Sequence, residues 1–104
     1  MNFFAIFWNQ GDFYFRLNIS FFMEGELQVV AFTKLKPECI ETAKPHAIKL
    51  IEATKKEEGN LKYDWYEDIK EPGSGAAIEK FKSMEAFQAH VNSDHIKEYA
   101  SHAK

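Results

Sequence analysis

The sequence predicts an α+β domain built on a strand–helix–strand–strand–helix order. Three observations carry that reading. Leu27 to Lys34 is an apolar, β-branched run. Ile40, Ala43, Ala47, Leu50, Ile51 and Thr54 then recur at three- and four-residue spacing, and from Leu61 the period changes to two. This order is a ferredoxin-like split βαβ plan. The plan usually ends with a strand antiparallel to its first, and that last strand is missing after the second helical region.

The N-terminal stretch offers a substitute. Phe3, Phe4, Ile6, Phe7 and Trp8 form an apolar run, and Asn9-Gln10-Gly11-Asp12 gives a turn signal. Phe13, Phe15, Leu17 and Ile19 then alternate with Tyr14, Arg16, Asn18 and Ser20. This pattern predicts a β-hairpin. Residues 1–22 form an extension ahead of a domain spanning 23–104, and two readings of it stand. Either it lies outside the working domain, or a strand at Asp12–Phe22 turns at Met23–Glu26 and pairs with the strand from Leu27. The second reading has a physical motive, because an open apolar edge strand invites aggregation.

Within that strand Val29, Ala31 and Thr33 share one face and Val30 and Phe32 the other, the pattern of a sheet buried on both sides. Lys36-Pro37 opens the first helix. Pro45 lies inside it and is expected to bend the helix or split off its first turn. Gly59-Asn60 ends the helical run, with Gly59 expected to supply left-handed backbone. Leu61, Tyr63 and Trp65 should then share one sheet face, and Lys62, Asp64 and Tyr66 the other. Glu71-Pro72-Gly73-Ser74-Gly75 is a turn. Ala76 to Lys82 follows as a strand with Ala77, Glu79 and Phe81 on one face. Ser83 caps a helix carrying Met84, Phe87, His90 and Val91. Asn92-Ser93-Asp94 interrupts it, and Ser93 or Asp94 caps a final short helix with Ile96 and Tyr99.

A chain of 104 residues, 45 % apolar and 28 % charged, suits one domain with a thin core that dimerisation would supplement. The net charge of −3, with no basic stripe, argues against nucleic-acid binding. The single cysteine, Cys39, admits no internal disulfide and fits a reducing compartment. No apolar run is long enough to span a bilayer, and the N-terminus lacks the plan of a signal peptide, so a cytoplasmic protein without membrane contact is expected.

Three residue sets could carry chemistry. Tyr63 and Trp65 either pack a core, the more common use of an aromatic stripe, or line a pocket for a flat ligand. Glu79 sits at an inward strand position, which is expensive unless it is paired. It either bonds a neighbouring lysine or loop, or it holds a histidine or a substrate hydroxyl. His90 and His95 are five residues apart, wrong for one helical face, yet the break at Asn92–Asp94 could turn both rings into one cavity. No dense ligand cluster accompanies them, so no metal is expected. A neutral imidazole there suits proton transfer near neutral pH. Neither a nucleotide-binding glycine loop nor a Ser-His-Asp pattern is present.

Taken together, these pieces resemble the antibiotic biosynthesis monooxygenase family, which includes quinol monooxygenases. The resemblance runs from about Leu27 to Tyr99. It rests on Lys36-Pro37-Glu38, on the stretch from Ala53 to Tyr63, on Glu79-Lys80-Phe81, and on the stretch from Ala86 to His95. It implies a dimeric α/β barrel in which two sheets pack face to face. It further implies a cofactor-independent monooxygenase that oxidises a quinol-like or small aromatic substrate with molecular oxygen. On that pattern His90, His95 and Glu79 would be catalytic, and Tyr63, Trp65 and Phe81 would bind the substrate. Haem-degrading relatives carry Trp where this chain has Phe81, which weakens a haem reading. Two alternatives are an isomerase of a small signalling metabolite and a non-catalytic dimeric ligand-binding or stress-associated domain.

Overall fold

The strand that begins at Leu27 lies at the centre of the sheet, with two strands on either side of it. The computed structural model describes residues 3–10, 13–21 and 25–102, the first two stretches by their backbone alone. Its strands are β1 (Phe3–Gln10), β2 (Phe13–Phe21), β3 (Leu27–Leu35), β4 (Asn60–Glu67) and β5 (Ser74–Phe81). A single 3-10 turn, Pro37–Cys39, precedes α1 (Ile40–Lys55), and α2 (Met84–Val91) and α3 (Asp94–His102) follow β5. The sheet order is β1-β2-β3-β5-β4, antiparallel throughout.

β2 therefore stands beside β3, where the split βαβ plan puts its last strand. Its register runs from Phe13 opposite Leu35 to Phe21 opposite Leu27. Gly11 and Asp12 of the first expected turn lie outside the described residues, as do Phe22, Met23 and Glu24. Gly25 of the second turn has φ +84, backbone that glycine adopts without strain.

Alternation on β3 and β5 builds the core. Leu27 pairs with Phe81, Val29 with Glu79 and Ala31 with Ala77, and all six are buried. Phe87 of α2 joins Leu27, Val29 and Phe81. Leu50 of α1, Tyr63 of β4 and Tyr99 of α3 form a second cluster, flanked by Leu35, Ala47, Ile51, Trp65 and Ile96. The described helices thus cover one face of the sheet. The other carries Val30, Phe32, Ile78 and Tyr66, with Phe32 37 % and Tyr66 57 % exposed. Within one chain, the two-sided burial expected of β3 is not met.

Three local expectations are corrected. α1 runs through Pro45 unbroken, and the short turn set apart from it lies earlier, at Pro37–Cys39. Gly59 is not in left-handed backbone; among the described residues only Gly25 and Gly73 are. What Gly59 supplies is space, since a Cβ there would overlap the Ala86 side chain of α2. Leu61 leaves the face of Tyr63 and Trp65. Asn60 pairs with Phe81 and Lys62 with Lys80, so Leu61 is the extra residue of a β-bulge and is exposed.

Candidate active site

The register of β5 decides what lies beneath the helices. Tyr63 and Val29 flank Glu79 from either side, and Trp65 lies opposite Ala77. Glu79 is only 4 % exposed and its Oε1 has no hydrogen-bond partner among the described residues. Phe81, one step along the same face, is fully buried and meets Phe87 edge to face, ring centroids 5.4 Å apart.

α2 brings His90 over this face. Ser83 caps the helix, its Oγ accepting from the Ala86 N–H at 3.1 Å. His90 is buried at the far end. Its ring lies 5.1 Å from Phe81 and 5.4 Å from Tyr63, and its Nε2 is 3.8 Å from Glu79 Oε1. Ser93 then makes the turn to α3. Its hydroxyl donates to the His90 carbonyl at 2.6 Å and accepts from the Ile96 N–H at 3.3 Å. That one side chain closes one helix and opens the next, which lets residues five apart face one centre. The His90 and His95 rings are 6.1 Å apart.

Their meeting point is Glu57, in the loop between α1 and β4. Its Oε2 accepts from His90 Nδ1 at 2.8 Å and from His95 Nε2 at 2.5 Å. A carboxylate accepting from both rings puts a proton on each of those nitrogens and leaves His90 Nε2 as an acceptor opposite Glu79. The space at Gly59 supports this arrangement, because it lets α2 close onto the loop that carries Glu57.

Burial sets the protonation. It pushes the Glu79 carboxyl up to about 8, with the Glu57 charge adding to the effect, so Glu79 holds its proton at neutral pH. It also lowers His90 below its ordinary value, against the opposing pull of Glu57. The Tyr63 hydroxyl is pushed far up, by burial first and then by Glu79, and Tyr99 rises to about 12 through burial. Neither phenol ionises in the physiological range.

Two cavities flank the cluster. One of about 390 Å³ lies between α1 and α3, lined by His95, Lys49, Leu50, Lys56, Glu98 and Tyr99 among others. A more apolar one of about 220 Å³ lies between α1 and the sheet, lined by Trp65, Leu35, Ala47, Ile51 and Tyr99. Tyr99 is common to both and meets Trp65 edge to face, centroids 5.5 Å apart. The Trp65 indole N–H is buried without a partner among the described residues.

All six residues singled out in the sequence therefore lie in one connected cluster. His95 and Trp65 reach the cavities, while His90 and Glu79 lie behind them. Glu57 was missed. It lies within the charged run Lys55-Lys56-Glu57-Glu58, which looks like a solvated helix end; its place two residues before the Gly59 stop was the available signal. It also adds a third donor to the histidine pair. Glu57 Oε2, His90 Nδ1 and His95 Nε2 lie within 4.8 Å of one another, a set able to hold a cation.

Comparison with known proteins agrees with this architecture. The sequence profile of the family described as "Antibiotic biosynthesis monooxygenase" matches residues 27–101. The Bacillus subtilis protein named "Putative monooxygenase YcnE" is 31 % identical over 74 residues, 71 % of this chain and 78 % of that protein. The crystal structure of a conserved protein from Methanosarcina mazei Go1 is similar with a TM-score of 0.69 and 32 % identity, covering 75 % of this chain and 77 % of its own. A crystal structure described as an antibiotic biosynthesis monooxygenase is similar with a TM-score of 0.71 and 30 % identity, covering 73 % and 80 %. No described helix is long and apolar enough to cross a membrane. The chain belongs to the antibiotic biosynthesis monooxygenase family.

Proposed function

We propose that the protein is a monooxygenase that oxidises a quinol-like or other small aromatic compound with molecular oxygen. The observation that carries this reading is the convergence of His90 and His95 on one Glu57 oxygen inside an aromatic wall. The substrate itself is the reductant. A phenolic proton passes to the His95–Glu57 pair, whose carboxylate stabilises the imidazolium. The electron-rich anion then reduces oxygen. One oxygen atom enters the ring, the other leaves as water, and a diol becomes a hydroxylated quinone. Trp65, with Tyr63 beside it, keeps the ring out of bulk water, while Phe81 braces His90.

Glu79 has its own part. Neutral at pH 7 and 3.8 Å from His90 Nε2, it can return a proton to that nitrogen. The same acid–base pair would serve the runner-up reading, isomerisation of a small carbonyl metabolite, which consumes no oxygen. We further infer a homodimer formed through the sheet face of Val30, Phe32, Ile78 and Tyr66, which the described helices leave open. The unpaired Cys39 suits the cytoplasm.

Oxygen uptake on mixing with a dihydroquinone tests the oxidation. Uptake should fall about 100-fold or more in His95→Ala, in the range of a lost acid–base group. Absence of uptake by the unaltered protein removes the reading, and carbonyl turnover without oxygen favours the isomerase.

A further inference from the structure

We propose that Glu57, His90 and His95 form a binding site for one divalent transition-metal ion, with zinc the best-matched species. The ion would occupy the same Glu57 and His95 atoms that hold the proton in the oxidation reading, so binding is measured without turnover and stands or falls separately.

The donor set is two imidazole nitrogens and one carboxylate oxygen from three separate elements: the end of α2, the start of α3 and the α1–β4 loop. Nitrogen and carboxylate donors of this kind select zinc, cobalt or ferrous iron over magnesium and calcium. The present contacts are hydrogen bonds of 2.8 and 2.5 Å, with protons where the ion would be. Around zinc, with bonds of about 2.0–2.1 Å, neighbouring donors stand about 3.3 Å apart. The two ring nitrogens, within 4.8 Å of one another, must draw in toward that spacing, and Glu57 must retreat from each ring by less than about 1 Å. It can do so because it sits in a loop and its carboxylate is partly exposed.

The surroundings match a metal site as well. A ligating histidine ordinarily turns its other ring nitrogen to a carboxylate or carbonyl. An ion on His90 Nδ1 places the ring proton on Nε2, aimed at Glu79 Oε1 3.8 Å away. That oxygen is buried and has no hydrogen-bond partner among the described residues. Ion binding, with an approach of the two groups by about half an ångström or more, would give it one. Three protein ligands leave a fourth position open for water or another small ligand.

The other histidine pair makes an internal control. His46 of α1 and His102 of α3 stack with ring centroids 3.8 Å apart and planes 6° from parallel. Lone pairs in two parallel planes do not converge on one ion.

The test uses the full chain after chelator treatment, titrated with cobalt(II) and followed by visible absorption, with zinc(II) then added as competitor. One ion per chain is expected, with the intense bands of four- or five-coordinate cobalt. Glu79→Gln should weaken binding about 10–100-fold. His95→Ala and Glu57→Gln should weaken it more, while His46→Ala and His102→Ala leave it unchanged. Circular dichroism checks that each variant is folded. Imidazole ¹⁵N shifts of the unaltered protein give a reading that needs no variant, with zinc moving His90 Nδ1 and His95 Nε2. Sub-stoichiometric binding, unmoved ring shifts, or binding kept in His95→Ala and lost in His46→Ala overturns the proposal.

Discussion

His95 Nε2 and Glu57 Oε2 lie 2.5 Å apart, and that same oxygen holds His90 Nδ1 at 2.8 Å. One loop carboxylate thus fixes two imidazoles from two helices. Glu57→Gln keeps the shape but loses the charge that balances an imidazolium. Turnover of the dihydroquinone should fall about 100-fold with little change in KM, the mark of a group acting in the transition state. Steady-state oxygen consumption measures both. A change confined to KM would place Glu57 in substrate binding instead.

Glu79 ties stability to pH. In the unfolded chain it ionises near its ordinary 4.5; in the folded protein burial holds the proton up to about 8. The folded state therefore binds the extra proton between those values. Its contribution is fully present below pH 4.5, declines as pH rises, and is lost above about 8. Each pH unit of displacement corresponds to about 1.4 kcal/mol. Urea midpoints at about pH 5 and about pH 8.5 should show this decline, and Glu79→Gln, neutral and of similar size, should flatten it.

Gly59→Ala tests the close approach of α2 to the loop. The added methyl meets Ala86, so helix and loop must part. A loss of about 1–3 kcal/mol is expected from thermal unfolding, as for other overpacked contacts. Activity should fall further than stability alone explains, because the same movement separates Glu57 from His90. Gly59→Ala combined with Ala86→Gly should recover part of both.

The open sheet face gives a test of assembly. Ile78 pairs with Val30 on β3 and Asp64 on β4, in the middle of that face. Ile78→Glu should convert a dimer to a monomer in light scattering at micromolar concentration. A dimer of unchanged stability would place the interface elsewhere.

Removing residues 1–24 strips β2 from β3 and leaves the β3 edge unpaired. The shortened chain should aggregate at concentrations where the full chain stays dispersed, as turbidity on mild heating would show. Equal behaviour would mean that the hairpin does not protect this edge.

What the sequence made legible follows from how local each cause is. Alternation on β5 was enough to put Glu79 and Phe81 on one buried face, and Ser83 announced its helix by residue type. The pairing of β2 with β3 was foreseeable because an apolar edge needs cover. Leu61 was misplaced because a bulge shifts the period, and nothing in Asn60-Leu61-Lys62 marks it. Gly59 was assigned a backbone role, while its real constraint is a neighbour 27 positions along the chain, Ala86. Glu57 was missed for the same kind of reason. Its partners are 33 and 38 residues distant, and a glutamate at a charged helix end looks solvated until tertiary packing brings histidines to it.

The central claim is that the substrate gives its electrons to oxygen and keeps one of the oxygen atoms. Turnover of a dihydroquinone under ¹⁸O₂, with the product examined by mass spectrometry, tests it most directly. The expected result is one heavy oxygen atom per hydroxylated quinone, lost together with turnover in His95→Ala. Product without label, or oxygen consumed only to form hydrogen peroxide, would contradict the claim.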